Sequence, residues 1–151
     1  MDLGVYPISF TFRTLGFDYQ SVSIHDIEFN EFGADLKETI EFTYADGVKA
    51  ICKADTTFSG KGSVTVWGEK GKIVVDSVNC PSVIRVYDNT ERLVENIECA
   101  PPLGGFEYQI LASKEAIQKN KTECEEWTHA NSIAVIEIVE KILKGNVDAT
   151  T

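Results

Sequence analysis

The chain has 151 residues, 43% of them hydrophobic and 25% charged, the make-up of a soluble globular fold. That length suffices for one domain that buries roughly 70% of the surface its unfolded form exposes. With 24 acidic side chains against 14 basic ones the formal charge is -10, a field that repels phosphate backbones and anionic lipid and so argues against nucleic acid or a membrane surface as partner.

The first sixteen residues organise the rest. In Asp2-Leu3-Gly4-Val5-Tyr6-Pro7 a carboxylate and a phenol stand four residues apart, ahead of an apolar run of Ile8, Phe10, Phe12 and Leu15. If the stretch is helical, that spacing puts Asp2 and Tyr6 side by side on one face, the form of an acid/base pair. Pro7 is tolerated in a first helical turn and costly further in, so the helix can start as late as Tyr6 or Pro7 and leave Asp2 in the lead-in loop. Gly16 supplies a C-terminal stop. On spacing alone, the plainer reading is that Asp2 caps the helix and Tyr6 packs at its start.

Val22, Ile24 and Ile27 predict a strand within Tyr19 to Phe29, irregular near His25-Asp26, with His25 on its surface. Asn30 to Asp35 has turn chemistry. Leu36, Ile40, Phe42 and Tyr44 alternate with Lys37, Thr39, Glu41 and Thr43, the period of a half-buried strand. Past Ala45-Asp46-Gly47, Val48, Ala50, Cys52 and Ala54 alternate in the same way. A three-residue loop with Gly47 left-handed pairs Tyr44 with Val48 and Phe42 with Ala50, which gathers the apolar side chains on one face; a two-residue turn would mix the faces. The opposite face, with Thr39, Glu41, Thr43, Lys49, Ile51 and Lys53, either stands in water or meets a second sheet.

Ser63 to Trp67 and Lys72 to Asp76 predict a second hairpin closed by Glu69-Lys70-Gly71, with Trp67 in core or interface packing. Its Gly68-x-x-Gly71 has the wrong spacing for a dinucleotide fingerprint and no helix follows. Ser82 to Asp88 and Arg92 to Ile97 are two further strands, and Pro101-Pro102 with Gly104-Gly105 separates them from a helical end. Phe106, Ile110, Ser113 and Ile117 fall on one helical face, with Asn120 as a C-terminal cap. The last helix starts at the N-cap Thr128 and runs to Lys144, with Val135, Ile138, Val139, Ile142 and Leu143 inward and Gly145 ending it. His129 is an exposed first-turn residue. Residues 146–151 are expected to be a flexible tail.

Cys52, Cys80, Cys99 and Cys124 are dispersed and lack the paired spacing of a zinc site, and the expectation is scattered thiols with no metal bound. No signal-peptide pattern and no apolar run of ~18 residues is present, so a cytoplasmic location is expected. The element order predicts an α+β fold: an open, largely antiparallel β-sheet of about six strands with helices packed on one face.

Asp-Leu-Gly-Val-Tyr-Pro resembles the opening of the C-terminal domain of the glucose-fructose oxidoreductase and inositol dehydrogenase (Gfo/Idh/MocA) family. The likeness is to its dihydrodiol-dehydrogenase-like variant, with Tyr in the Asp-x-x-x-His/Tyr pair. The hairpin at Ala45-Asp46-Gly47, the turn Trp67-Gly68-Glu69-Lys70-Gly71-Lys72-Ile73, Gly105-Phe106-Glu107-Tyr108 and Trp127-Thr128-His129-Ala130-Asn131-Ser132 fit in the same order. The chain starts one residue before Asp2, so the glycines that precede the pair in the fuller pattern are not in it. The resemblance implies that residues 1–145 are the catalytic and oligomerisation domain of an NAD(P)-dependent oxidoreductase acting on a sugar, polyol or diol, homodimeric through the open sheet face. It also implies that a Rossmann domain N-terminal to this region holds NAD or NADP and contributes the lysine of a Glu-Lys-Pro motif. Tyr6 would exchange the proton of the substrate hydroxyl, and Asp2 would orient the neighbouring groups.

A free phenol ionises near pH ~10, so a tyrosine base needs a close cation, and Asp2 is an anion. The chain has no Gly-x-Gly-x-x-Gly after a strand, and no cofactor-binding residue is assigned in it. Taken alone it is expected to be inactive. The alternative is a free-standing dimerisation or ligand-binding module without redox activity.

Overall fold

In the computed structural model, residues 1–60, 62–99, 104–145 and 147–149 are described, the last two by backbone only. Helix α1, Val5–Leu15, is followed by strands β1 (Ser21–Phe29), β2 (Asp35–Thr43) and β3 (Lys49–Asp55). Strands β4 (Ser63–Gly68), β5 (Gly71–Asp76), β6 (Val83–Asp88) and β7 (Leu93–Glu98) come next, then α2 (Glu107–Gln118), α3 (His129–Leu143) and β8 (Asp148–Ala149). The α+β class with open, largely antiparallel sheets is as expected. The strands divide between two four-stranded sheets, of order β3-β2-β1-β8 and β4-β5-β6-β7. Contacts within the chain gather into two units, Met1–Ser59 with Trp127–Thr151, and Gly60–Glu126.

The first unit holds the buried core. Ile8 and Phe12 of α1, Val22, Ile40, Phe42, Tyr44 and Cys52 of the sheet region, and Val135, Ile138, Val139 and Ile142 of α3 form one apolar cluster. The inward stripe of α1 is Ile8, Thr11 and Phe12, whereas Phe10 and Leu15 lie more than a third exposed. A 3.6-residue period puts Thr11 one turn above Ile8, and its hydroxyl meets Cys52 Sγ at 3.2 Å. Phe12 stacks at 5.7 Å on Tyr19 and meets Phe42 edge-on at 5.3 Å.

The hairpin register expected from the apolar alternation is the observed one. Phe42 pairs with Ala50 and Ile40 with Cys52, and the Tyr44 amide donates to the Val48 carbonyl at 2.8 Å. The loop Ala45–Gly47 is a 3-10 turn with both Asp46 and Gly47 left-handed. β1 carries a bulge at His25, where the register slips between Ile24 and Asp26. Asn30 Oδ1 accepts from the Phe32 and Ala34 amides at 2.9 Å, closing the turn into β2. Thr128 caps α3, accepting from the Asn131 amide at 3.3 Å, and Gly145 follows its C-terminus with φ 66°. Leu143, expected inward, is 39% exposed: it sits at the frayed end, a residue past Ile142, and turns off the stripe. Of the expected tail, Asp148–Ala149 pairs in parallel with Ser23 and Ile24, and 146, 150 and 151 lie outside the described residues.

The second unit is an antiparallel meander. β4 and β5 are joined by the two residues Glu69 and Lys70, with Gly68 opposite Gly71, one residue tighter than the expected turn. Gly71 is required there: at φ 145° a Cβ would stand 1.9 Å from the Tyr87 carbonyl oxygen on β6. The register places Val64, Val66, Ile73, Val75, Ile84, Val86 and Ile97 on one face. Trp67, on the other face, is 75% exposed rather than packed. Asn120 follows α2 in the left-handed conformation, as a C-terminal stop. The predicted apolar face of α2 is formed but not covered, and Phe106, Ile110 and Ile117 are all exposed. Pro101-Pro102 lies outside the described residues.

Candidate functional site

The two candidate residues lie at the entrance of α1. The helix begins at Val5, with Gly4 as its N-cap residue and no side-chain cap, so Asp2 is in the lead-in segment and is not the cap. Pro7 falls in the first turn, where backbone amides have no intrahelical acceptor and its missing N–H costs nothing. The turn is closed instead by the Tyr6 amide donating to the Leu3 carbonyl at 3.2 Å and the Ile8 amide to Gly4 at 3.3 Å. Asp2 is exposed, and so is Tyr6, at 62%. Because Ile8, Thr11 and Phe12 anchor the far side of the helix in the core, the phenol is carried on a fixed support and left open to solvent.

A residue that the alternation along β2 did not single out lies beneath this segment. Glu38 is on the core face of the strand, opposite Ile27 of β1 and Ala54 of β3, and only 2% exposed. Among the described residues its Oε1 is the buried side-chain oxygen with no hydrogen-bond partner. A Cβ on Gly4 would stand 2.1 Å from that oxygen, so the carboxyl fills the space that any other residue at position 4 would claim. Burial pushes the Glu38 carboxyl up to about 7; the Asp35 charge adds to this, and the amino group at Met1 opposes it. That amino group is itself 2.9 Å from Asp35 Oδ1. The available signal was a glutamate in the apolar phase of an otherwise regular alternation.

The other ionisable candidates are elsewhere. His25 is on the sheet surface, 3.3 Å from Glu41 Oε2, and His129 is exposed in the first turn of α3. Cys52 is buried and its thiol is pushed up by burial; the other three cysteines are half-buried. No group of three or more His, Cys, Asp or Glu side chains among the described residues could hold a metal. Gly68 and Gly71 face each other across a hairpin, so their amides are not presented at the start of a helix.

No protein-family model matches the chain. Its sequence is 28% identical over 152 residues to the scyllo-inositol 2-dehydrogenase (NADP(+)) IolU of Bacillus subtilis, covering 95% of this chain and 43% of IolU. Among solved structures it is similar to KijD10, a 3-ketoreductase from Actinomadura kijaniata in complex with NADP. The TM-score is 0.76 at 18% identity, over 98% of this chain and 47% of that one. It is similar also to the aldose-aldose oxidoreductase of Caulobacter crescentus complexed with glycerol, with a TM-score of 0.74 at 16% identity, over 95% and 44%. The chain thus spans less than half the length of these relatives, and shares the fold of that portion. No helix among the described residues is long and apolar enough to cross a membrane.

Proposed function

We propose that the chain is the substrate-site and oligomerisation half of an NAD(P)-dependent oxidoreductase of the Gfo/Idh/MocA family, acting on a hydroxyl of a sugar, polyol or diol. Asp2 and Tyr6 are its site residues, in the variant with Tyr in the Asp-x-x-x-His/Tyr pair. The observation that carries the reading is the exposure of both side chains at the start of a helix whose opposite face is locked in the core. The sequence likeness to an NADP-dependent inositol dehydrogenase over 95% of the chain supports the substrate class.

In this reading Tyr6 gives or takes the proton of the substrate hydroxyl and Asp2 orients the groups around it. When bound to the longer protein, NAD(P) supplies hydride transfer; no residue of the present chain is assigned to hold it, and the chain alone is inactive. A phenol is a poor base near neutrality without a close cation, and the family resemblance assigns that cation to a lysine of the nucleotide-binding half. The outer face of β2 and β3 joins two copies: Ile51 is 59% exposed there between Lys49 and Lys53.

The test begins with the coding sequence upstream of Met1, which should encode a Rossmann domain with Glu-Lys-Pro. In the protein carrying both halves, Tyr6→Phe lowers kcat by about 10²- to 10⁴-fold, the range for loss of a general acid/base. Turnover unchanged by Tyr6→Phe, or NAD(P)-linked oxidation by the 151-residue chain alone, would overturn the assignment.

A further inference from the structure

We propose that Glu38 is the positioning residue of the Asp2–Tyr6 site, its buried carboxyl seated under Gly4 and setting where the first turn of α1, and with it Tyr6, stands. The proposal rests on the reading of Asp2 and Tyr6 as site residues, and it adds to that reading a residue from a different element.

Three observations converge on Glu38. Its neighbours on the same face of β2, Ile40 and Phe42, are fully buried and apolar, so an apolar side chain would serve packing alone at this position. Its Oε1 lies against Gly4, where a Cβ would displace it together with the Met1 side chain, so the carboxyl and the start of the helix occupy complementary shapes. That oxygen has no hydrogen-bond partner, so the side of the carboxyl that meets the turn is held by contact alone, while a hydrogen bond with Asp35 ties the group to β2.

The groups acting on its charge are Asp35 of β2, Asp55 of β3 and the amino group at Met1, while the first turn of α1 contributes no acidic residue. Burial and the two carboxylates favour the neutral form, so Glu38 changes charge close to neutrality. In the neutral form the carboxyl packs under Gly4 as a small polar wedge. On ionisation it gains a charge that cannot be hydrated where it lies, and the segment above it is the part free to give way. The setting of Tyr6 is therefore coupled to the protonation of a residue that never touches substrate.

The experiment is an NMR titration of the chain, labelled with 13C at the glutamate carboxyls, from about pH 5 to about pH 9. The amides of Gly4, Val5 and Tyr6 are expected to shift with the midpoint of the Glu38 carboxyl carbon. The coupled shift is expected to vanish in Glu38→Gln and to return in Glu38→Asp, which keeps a carboxyl. An α-amino group titrates at ~8, so the same titration is run on a chain acetylated at Met1, where the wild-type result decides even if the variants fail to fold. Amides that stay flat while Glu38 titrates, or that titrate unchanged in Glu38→Gln, overturn the proposal. The readout is the backbone of the first turn and not turnover, so that result would leave the Asp2–Tyr6 reading to stand or fall on the kcat of Tyr6→Phe.

Discussion

The Tyr44 hydroxyl donates to the Gly16 carbonyl at 2.9 Å, tying the end of α1 to the end of β2 across 28 residues of sequence. Tyr44 is 7% exposed, so little water reaches the bond to replace the hydroxyl as donor. Tyr44→Phe keeps the ring and removes the donor, and should cost about 1 kcal/mol in urea unfolding. Burial also pushes the phenol up to about 12. The folded state then resists ionisation while the unfolded chain ionises near ~10, so stability falls as pH rises between those values. Tyr44→Phe should abolish that alkaline slope.

Glu38→Gln should raise stability at neutral to alkaline pH. The folded carboxyl ionises at about 7, against an ordinary value of 4.5. Below the ordinary value both states are protonated; between the two values only the unfolded chain loses its proton, so stability declines as pH rises and levels off above about 7. Removing the ionisable group should recover up to ~3 kcal/mol at high pH and almost nothing near pH ~4. Paired denaturant curves at the two pH values measure the difference.

Ile51→Lys tests the sheet-face dimer. The residue is exposed between Lys49 and Lys53, and Lys49 is already paired with Glu41 at 2.7 Å. A further lysine at the centre of a two-fold contact sets like charges against each other, so sedimentation should show the wild type as a dimer and the variant as a monomer. Monomer stability should change by no more than ~0.5 kcal/mol, as for other surface substitutions.

Thr128→Ala removes the cap of α3 and should destabilise the first unit by ~0.5–1 kcal/mol, the low end reflecting the 3.3 Å contact. Thr128→Asn should recover most of it, measured by thermal unfolding.

The pairing of β2 with β3 was legible in the sequence because that hairpin had two registers to choose between, and only one brings Phe42, Ala50, Ile40 and Cys52 to the same face; the β4–β5 turn, where no such contrast chooses, proved one residue tighter than expected. The stop at Gly16, the irregularity at His25 and the cap at Thr128 were legible for the same reason: each is fixed by neighbours in sequence. The division of the strands between two sheets depends on contacts that no local period encodes. The exposure of Phe106, Ile110 and Ile117 was likewise invisible, since periodicity reports that a helix has an apolar side and not whether anything lies against it. Asp2 and Tyr6 could be singled out by spacing and resemblance. Glu38 showed only as a charge in the apolar phase of β2, because its place beneath Gly4, 34 positions earlier, depends on how α1 packs on the sheet.

The bulge in β1 has a bearing on how much change that strand can absorb. Ile24 stands opposite Ile40, Asp26 opposite Thr39 and Ile27 opposite Glu38, so β1 carries one residue more than β2 at His25. Excising His25 would join Ile24 directly to Asp26 and leave every remaining pair facing as it does now, the inward side chains still inward. The strand is therefore open to the loss of one residue at that point, whereas an excision within the regular pairs from Ser21 to Ile24 would turn the side chains on one side of the cut inside out.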